Sequence, residues 1–444
     1  MRPARWPVPV GAILVHLAIG SVYAWSTLNR PIVAALPPTP AWASPPYTTF
    51  TAALVLLGLS AATWGPWVER RGARTAARTA ALCFAGGLLL GGAGLLARLP
   101  LLVFLGLGVL CGVGCGIGYI APVGTLVQWF PERRGMATGL AIFGFGGGAF
   151  LAGHANAWLL ARVGVAHTLL VLGVAYLALM LAGAQLLRPA PATAPATAPT
   201  IAPATASAAP RVAGPAATDA ATVTAPAALT RRQAVRTPQF ALLWGMLCIN
   251  VTAGIGILAQ ASPMMQDLFG RSPAEAAAVV AIIGVFNAGG RLLWSSVSDR
   301  IGRRTTYLVF FGVQLGLFLL VPRFAAAGAW WPFLAALLTV FTMYGGGFAT
   351  IPAFLADLFG AAHVGAIHGT LLTAWSVAAV AGPLIITELS ARARAAIPPG
   401  APRVHVYDVP LLLLAGLLAL GFLLTLLVRP VAGRAAAAPP ARGA

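Results

Sequence analysis

Arg291 stands near the middle of a long apolar run, in Phe286-Asn287-Ala288-Gly289-Gly290-Arg291. A guanidinium at membrane depth costs at least ~2.5–3.5 kcal/mol unless it faces a cavity or a partner. The chain offers it few partners, with nine acids in 444 residues. Glu69, Glu132, Asp219, Asp299 and Asp408 fall in loops or at span ends. Asp267, Glu275 and Glu388 fall at or near the outer face, and Asp357 near the inner end of its span. No carboxylate is expected at the depth of Arg291, and the residue one turn before it is Asn287. A small soluble anion is the expected counter-charge, since the arginine fork matches a carboxylate with two parallel hydrogen bonds. Two other fates stay open: satisfying backbone carbonyls between helices, or reaching toward Asp299 two turns on.

Aromatic residues recur in the spans that would surround such a site. Tyr23 and Trp25 end the first span, Tyr119 follows the glycine run of the fourth, and Phe145 lies in the fifth. Tyr344 and Phe348 lie in the tenth and Trp375 in the eleventh. Each taken singly reads as core or interfacial packing. His16 and His154 are candidate proton carriers, and packing histidines otherwise; His363 and His368, by the inner end of the eleventh span, read as gate or loop residues. Cys83, Cys111, Cys115 and Cys248 all fall in apolar runs, as small core residues do. No Cys, His and carboxylate cluster is spaced for a metal, and no cofactor is expected.

Two cassettes match across 230 positions: Gly65-Pro-Trp-Val-Glu69-Arg70-Arg71-Gly72-Ala73-Arg74 and Ser295-Ser-Val-Ser-Asp299-Arg300-Ile301-Gly302-Arg303-Arg304. The same offset joins Pro122 to Pro352, and the Gly135/Gly139 pair to Gly365/Gly369. A duplicated membrane half explains this, and such duplication is how many secondary transporters are built. Glu69 and Asp299 end their helices, where an acid can face a neighbouring helix N-terminus and pair with nearby arginines. Glu69, Arg70, Arg74, Asp299, Arg300 and Arg303 are therefore the candidate gate. Gly108, Gly112 and Gly116 repeat at four-residue spacing, which lets membrane helices approach closely. A phosphate loop would need a following lysine, and all 28 basic residues are arginine.

The elements that must hold these residues follow from composition. Hydrophobic residues make up 59% and charged residues 8%, with mean hydropathy +0.87, far from a soluble globular protein. Twelve spans are expected, at about 8–28, 48–67, 79–97, 101–129, 137–158, 165–187, 239–260, 274–297, 305–321, 330–355, 366–388 and 407–428. The fold class is an all-α integral membrane protein of two pseudo-symmetric six-helix bundles, 1–188 and 237–430. An Ala/Pro/Thr-rich linker at 189–236, expected to be largely disordered, joins them, and 431–444 is a disordered tail. Nineteen arginines lie on the side of the termini and linker against eight on the other, with Arg291 left over. Both termini are thus expected to be cytoplasmic, in a multi-pass protein of the inner membrane. The net charge of +19 is spread over short loops, so no nucleic-acid partner is expected.

The cassettes resemble the loop 2–3 and loop 8–9 motif of the major facilitator superfamily, with Ser295 where glycine is usual. Gly20-Ser-Val-Tyr-Ala-Trp25, Trp129-Phe-Pro-Glu-Arg-Arg-Gly135, Asn287-Ala-Gly-Gly-Arg291 and the Leu358-Phe-Gly to Gly369 stretch together resemble the oxalate/formate antiporter family. Bacterial pyruvate and lactate carriers are close to it. The resemblance implies that Arg291 holds a substrate carboxylate within an aromatic cage of Tyr23, Trp25, Tyr119, Phe145, Tyr344 and Phe348, with Asn287 in support. Where the family has a second cation, a helix-eleven lysine, this chain has Trp375. A second carboxylate would meet an indole, which has one N–H donor and no charge.

The expected function is secondary transport of a small monocarboxylate (pyruvate, lactate or formate) by alternating access, with anion exchange or proton coupling, and no enzymatic activity. The alternatives are an oxalate/formate-type dicarboxylate antiporter, an exporter of larger hydrophobic anions or drugs, and a non-transporting sensor. The expected partners are the anion, a coupled proton or counter-anion and the lipid bilayer, acting on a monomeric unit.

Overall fold

The computed structural model describes residues 5–37, 45–191, 228–398 and 403–431. It is built of helices packed side by side: α1 (Pro7–Ala35), α2 (Pro45–Arg71), α3 (Ala73–Leu96) and α4 (Pro100–Trp129) come first. A 53-residue helical segment, Arg134–Leu186, follows, about twice the length a bilayer needs. Gly164 breaks it with φ 70° and ψ 171°, a conformation other residues resist, so it forms two crossings, α5 (134–163) and α6 (165–186). The second half holds α7 (Pro238–Phe269), α8 (Pro273–Ile301), α9 (Arg303–Ala326), α10 (Trp330–Phe359), α11 (Val364–Ala396) and α12 (Asp408–Leu427). With that segment counted as two, the eleven long apolar helices among the described residues make the twelve expected crossings.

Local chemistry sets the ends. Thr237 caps α7, and Ser272 with Glu275 forms a capping box on α8 with proline at the first helical position. Gly72 and Gly302 end α2 and α8 with φ of 80° and 87°, which turns the chain sharply into α3 and α9. Most of the expected linker and all but the first residue of the tail lie outside the described residues. Residues 228–236 of that linker do have a place. They form a short helix, Arg231–Val235, with a Thr230/Gln233 capping box, and Leu229 N–H donates to Phe359 O at 2.9 Å.

The halves meet along α5 against α8 and along α2 against α11. Glycine permits both approaches. Gly139 lies on the Ser295 side chain and the Arg291 carbonyl, and Gly369, 230 positions later, lies on the backbone of Ala61. The interhalf contacts therefore repeat with the pseudo-twofold axis, and Ala61 is the symmetry mate of Arg291. On the face opposite the duplicated turns, Asp267 accepts from Arg394 at 2.7 Å, Arg403 at 3.3 Å and Tyr407 Oη at 2.8 Å. That cluster ties α7 and α11 to the segment leading into α12.

Two adjacent glycines test this packing. A Cβ on Gly290 would fall 2.1 Å from Thr342 O, whereas one on Gly289 meets nothing within 4 Å. Gly290→Val should therefore cost about 1–3 kcal/mol or more, and Gly289→Ala should be neutral or stabilising by up to about 1 kcal/mol. Thermal unfolding in detergent micelles checks the pair; equal melting temperatures would contradict the close α8–α10 approach.

Candidate functional site

α8 carries Arg291 into the centre of the protein, where it is 1% exposed. One amino group, Nη1, donates to Ile142 O of α5 at 3.0 Å, across the interface of the halves. Nε and Nη2 have no protein partner. No described carboxylate pairs with Arg291, and Asp299 is engaged elsewhere. Of the three fates open to the guanidinium, backbone satisfaction accounts for only one of its donors. The guanidinium carbon also lies 5.3 Å from the Phe145 ring and 5.8 Å from the Phe348 ring, so aromatic faces take the place of water around the cation.

Trp375 is the hub of the rings. Its centroid lies 4.6 Å from Phe348, 5.6 Å from Tyr119, 5.8 Å from Phe145 and 6.1 Å from Tyr23. Tyr344 packs on Phe348 at 5.5 Å, and its hydroxyl meets that of Tyr23 at 3.4 Å, joining α1 to α10. Asn287 is buried one turn from Arg291, its Oδ1 without a protein partner. The Tyr119 hydroxyl and Trp375 Nε1 are buried and equally unpartnered. Several polar atoms in one apolar centre thus lack a protein partner, an arrangement a polar ligand or ordered water resolves.

Two expected members lie elsewhere. Trp25 stacks on Phe50 at 6.1 Å, beyond the 3₁₀ turn Ser21–Ala24 that rotates the end of α1 away from the centre. His154 is exposed on the outer side of α5, with its ring folded back on Phe150 O at 3.0 Å, so it faces no cavity between the halves. His16 is at the centre, its Nδ1 on Ala12 O at 2.9 Å and its ring 5.3 Å from Tyr119. The sequence reading passed over one residue. His368, read as a gate or loop residue, is 1% exposed with its ring 5.8 Å from Tyr119. Its seven-residue spacing from Trp375, two helical turns, places both on one face and was the available signal.

The face that carries the duplicated turns is closed. Asp299 of α8 accepts from the N–H groups of Gly135 (2.9 Å) and Met136 (2.8 Å), at the N-terminus of α5 in the other half. Its mate Glu69 accepts from Ala366 N–H at 2.9 Å, at the N-terminus of α11, and meets His363 at 3.2 Å. Each acid therefore sits on the positive end of a helix from the opposite half. Arg303 holds Asp299 at 2.5 Å and Asp357 at 3.1 Å, and Arg134 crosses to Asp357 at 3.0 Å. Arg134, Asp357 and His363 thus complete a set in which Arg70, Arg74 and Arg300 take no part. Arg74 braces α3 against Gln185 O and Leu187 O of its own half. Arg70 and Arg300 are exposed, with no ion pair among the described residues.

A central site between two six-helix halves, closed on one face by duplicated acid-to-helix contacts, is the architecture of a carrier. The family model described as Major Facilitator Superfamily matches residues 16–383.

The chain belongs to the Major Facilitator Superfamily.

It is a multi-pass membrane transporter of that group and resembles its oxalate/formate antiporter branch. An MFS-type transporter of Escherichia coli (strain K12), YhjX, is 27% identical over 85% of this chain and 86% of its own. The oxalate:formate antiporter of Oxalobacter formigenes is 29% identical over 85% of this chain and 83% of its own. Among solved structures, the transporter FucP in its outward conformation superposes with a TM-score of 0.66 at 14% identity, covering 95% of this chain and 98% of that one. The contacts between halves on this face yield a test. Asp299→Asn removes the charge from two hydrogen bonds between halves and should shift the closed state by about 1–3 kcal/mol. Spin labels at Arg71 and Ile301 should then show a second, longer distance; an unchanged distribution would remove Asp299 from the gate.

Proposed function

We propose that this protein carries a small organic monocarboxylate across the membrane by alternating access, with Arg291 holding the carboxylate. The observation that carries the reading is the buried guanidinium with two free donors, Nε and Nη2, and no described acid to neutralise it. These two donors are the pair a carboxylate accepts side by side. Phe145, Phe348 and Trp375 would exclude water around the bound anion, and Tyr23 with Tyr344 would separate it from the face opposite the gate. That face is the extracellular one under the arginine bias of the loops. The similarity to an oxalate:formate antiporter supports an organic anion as cargo.

A monocarboxylate is favoured over a dicarboxylate because the site has a single permanent cation. Trp375 contributes one N–H and no charge, so a second carboxylate would be desolvated without a partner. The coupling follows from the same charge. An empty site would have to close over an uncompensated guanidinium, whereas a loaded site closes neutral, so exchange of one anion for another is the expected mode.

Arg291→Gln keeps a hydrogen-bonding side chain and removes the charge. Uptake of labelled pyruvate, lactate or formate into proteoliposomes should fall at least ~100-fold, as for loss of a buried charge pair. The melting temperature should hold or rise, because a poorly compensated buried cation opposes folding. Robust uptake by this variant would overturn the assignment. Net uptake into substrate-free vesicles as fast as into loaded ones would overturn the exchange mode alone.

A further inference from the structure

The pseudo-twofold axis relates Thr138 of α5 to His368 of α11, and Ala349 of α10 to Tyr119 of α4, at the 230-residue offset. One contact closes the interface in both places. In the first, Thr138 Oγ1 donates to Ala349 O at 2.8 Å, and the hydroxyl also reaches Arg134 O and Gly135 O. In the second, the His368 ring lies 5.8 Å from Tyr119, and neither ring nitrogen has a protein partner. The fold therefore closes this interface with a satisfied threonine and does not need an imidazole. His16 approaches the same tyrosine from α1 at 5.3 Å. Its Nδ1 meets a carbonyl, which can only accept, so the neutral ring carries its proton there and leaves Nε2 as a free acceptor. The hydroxyl of Tyr119, whose ring both histidines approach, is also unpartnered.

We propose that His368, His16 and the Tyr119 hydroxyl form a second, uncharged polar subsite that recognises the 2-oxo or 2-hydroxy oxygen of a short monocarboxylate. This rests on the reading of Arg291 as the carboxylate anchor. The two subsites share Phe145, which lies 5.3 Å from the guanidinium carbon and 5.7 Å from the Tyr119 ring. A 2-oxo oxygen accepts from Tyr119 O–H and a His368 N–H; a 2-hydroxyl donates to His16 Nε2 and accepts from the other two. An acid without that oxygen leaves three buried polar groups unpaired. Sites built to hydrogen-bond a substrate oxygen reject analogues lacking it far more strongly than apolar pockets reject a methylene.

The test is counterflow competition in proteoliposomes against labelled lactate, with pyruvate, lactate, propionate and acetate as unlabelled competitors. Pyruvate and lactate should compete at least ~10-fold better than propionate, which has the same carbon count. His368→Thr and His16→Met install the residues that the other half already packs at the mated positions, Thr138 and Met246, both fully buried. Each should raise the lactate KM and erase the preference over propionate while propionate exchange continues. His154→Leu, on the exposed side of α5, should leave the preference intact. Equal competition by propionate and lactate in the unaltered protein, or a preference that survives His368→Thr, would overturn the subsite and leave Arg291 as anchor. Failure of every monocarboxylate to compete would instead overturn the anchor.

Discussion

The structure turns on one cation kept from water. Arg291 is buried at the meeting of the two halves, with a single carbonyl, Ile142 O, and two aromatic faces around it. A membrane protein tolerates such a charge only with a counterpart or a wet cavity. No described residue supplies the counterpart. Under the proposed function, binding and closure become one event: an anion that neutralises the guanidinium would permit the halves to close.

The two halves are alike in backbone and unlike in chemistry, and the differences fall on the axis between them. Gly139 and Gly369 bring mated pairs of helices close, yet the first rests on Ser295 and the Arg291 carbonyl and the second on Ala61. Phe145 and Trp375 are symmetry mates that touch each other at 5.8 Å. Thr138 and His368 are mates as well, the first satisfied by backbone and the second without any protein partner. Duplication gives a scaffold in which each half shows what the fold requires at a position. Where one half departs from the other with a buried, unsatisfied group, the packing seen in the first half does not require the departure. The gate obeys the opposite rule. Glu69 and Asp299 both remain acids because each must meet the positive end of the other half's helix.

The sequence by itself determined the span count, the duplication, the acids at the paired turns and the buried arginine, because each is a local signal. Apolar length reports a crossing, the 230-residue offset reports a repeat, and a lone charge in hydrocarbon reports a need. It did not determine which side chains that arginine would meet. Trp25 follows Tyr23 by two residues, but beyond the 3₁₀ turn at Ser21–Ala24 it stacks on Phe50. His154 lay in a promising span and faces outward, because helix phase is fixed only by what packs on α5. His368 sits near a loop by number and is central, and Arg134 joins Asp357 through a contact between residues 223 apart. Only the tertiary structure decides such matters: rotation of a helix about its axis and the pairing of distant turns are set by close packing between elements, which no single segment encodes.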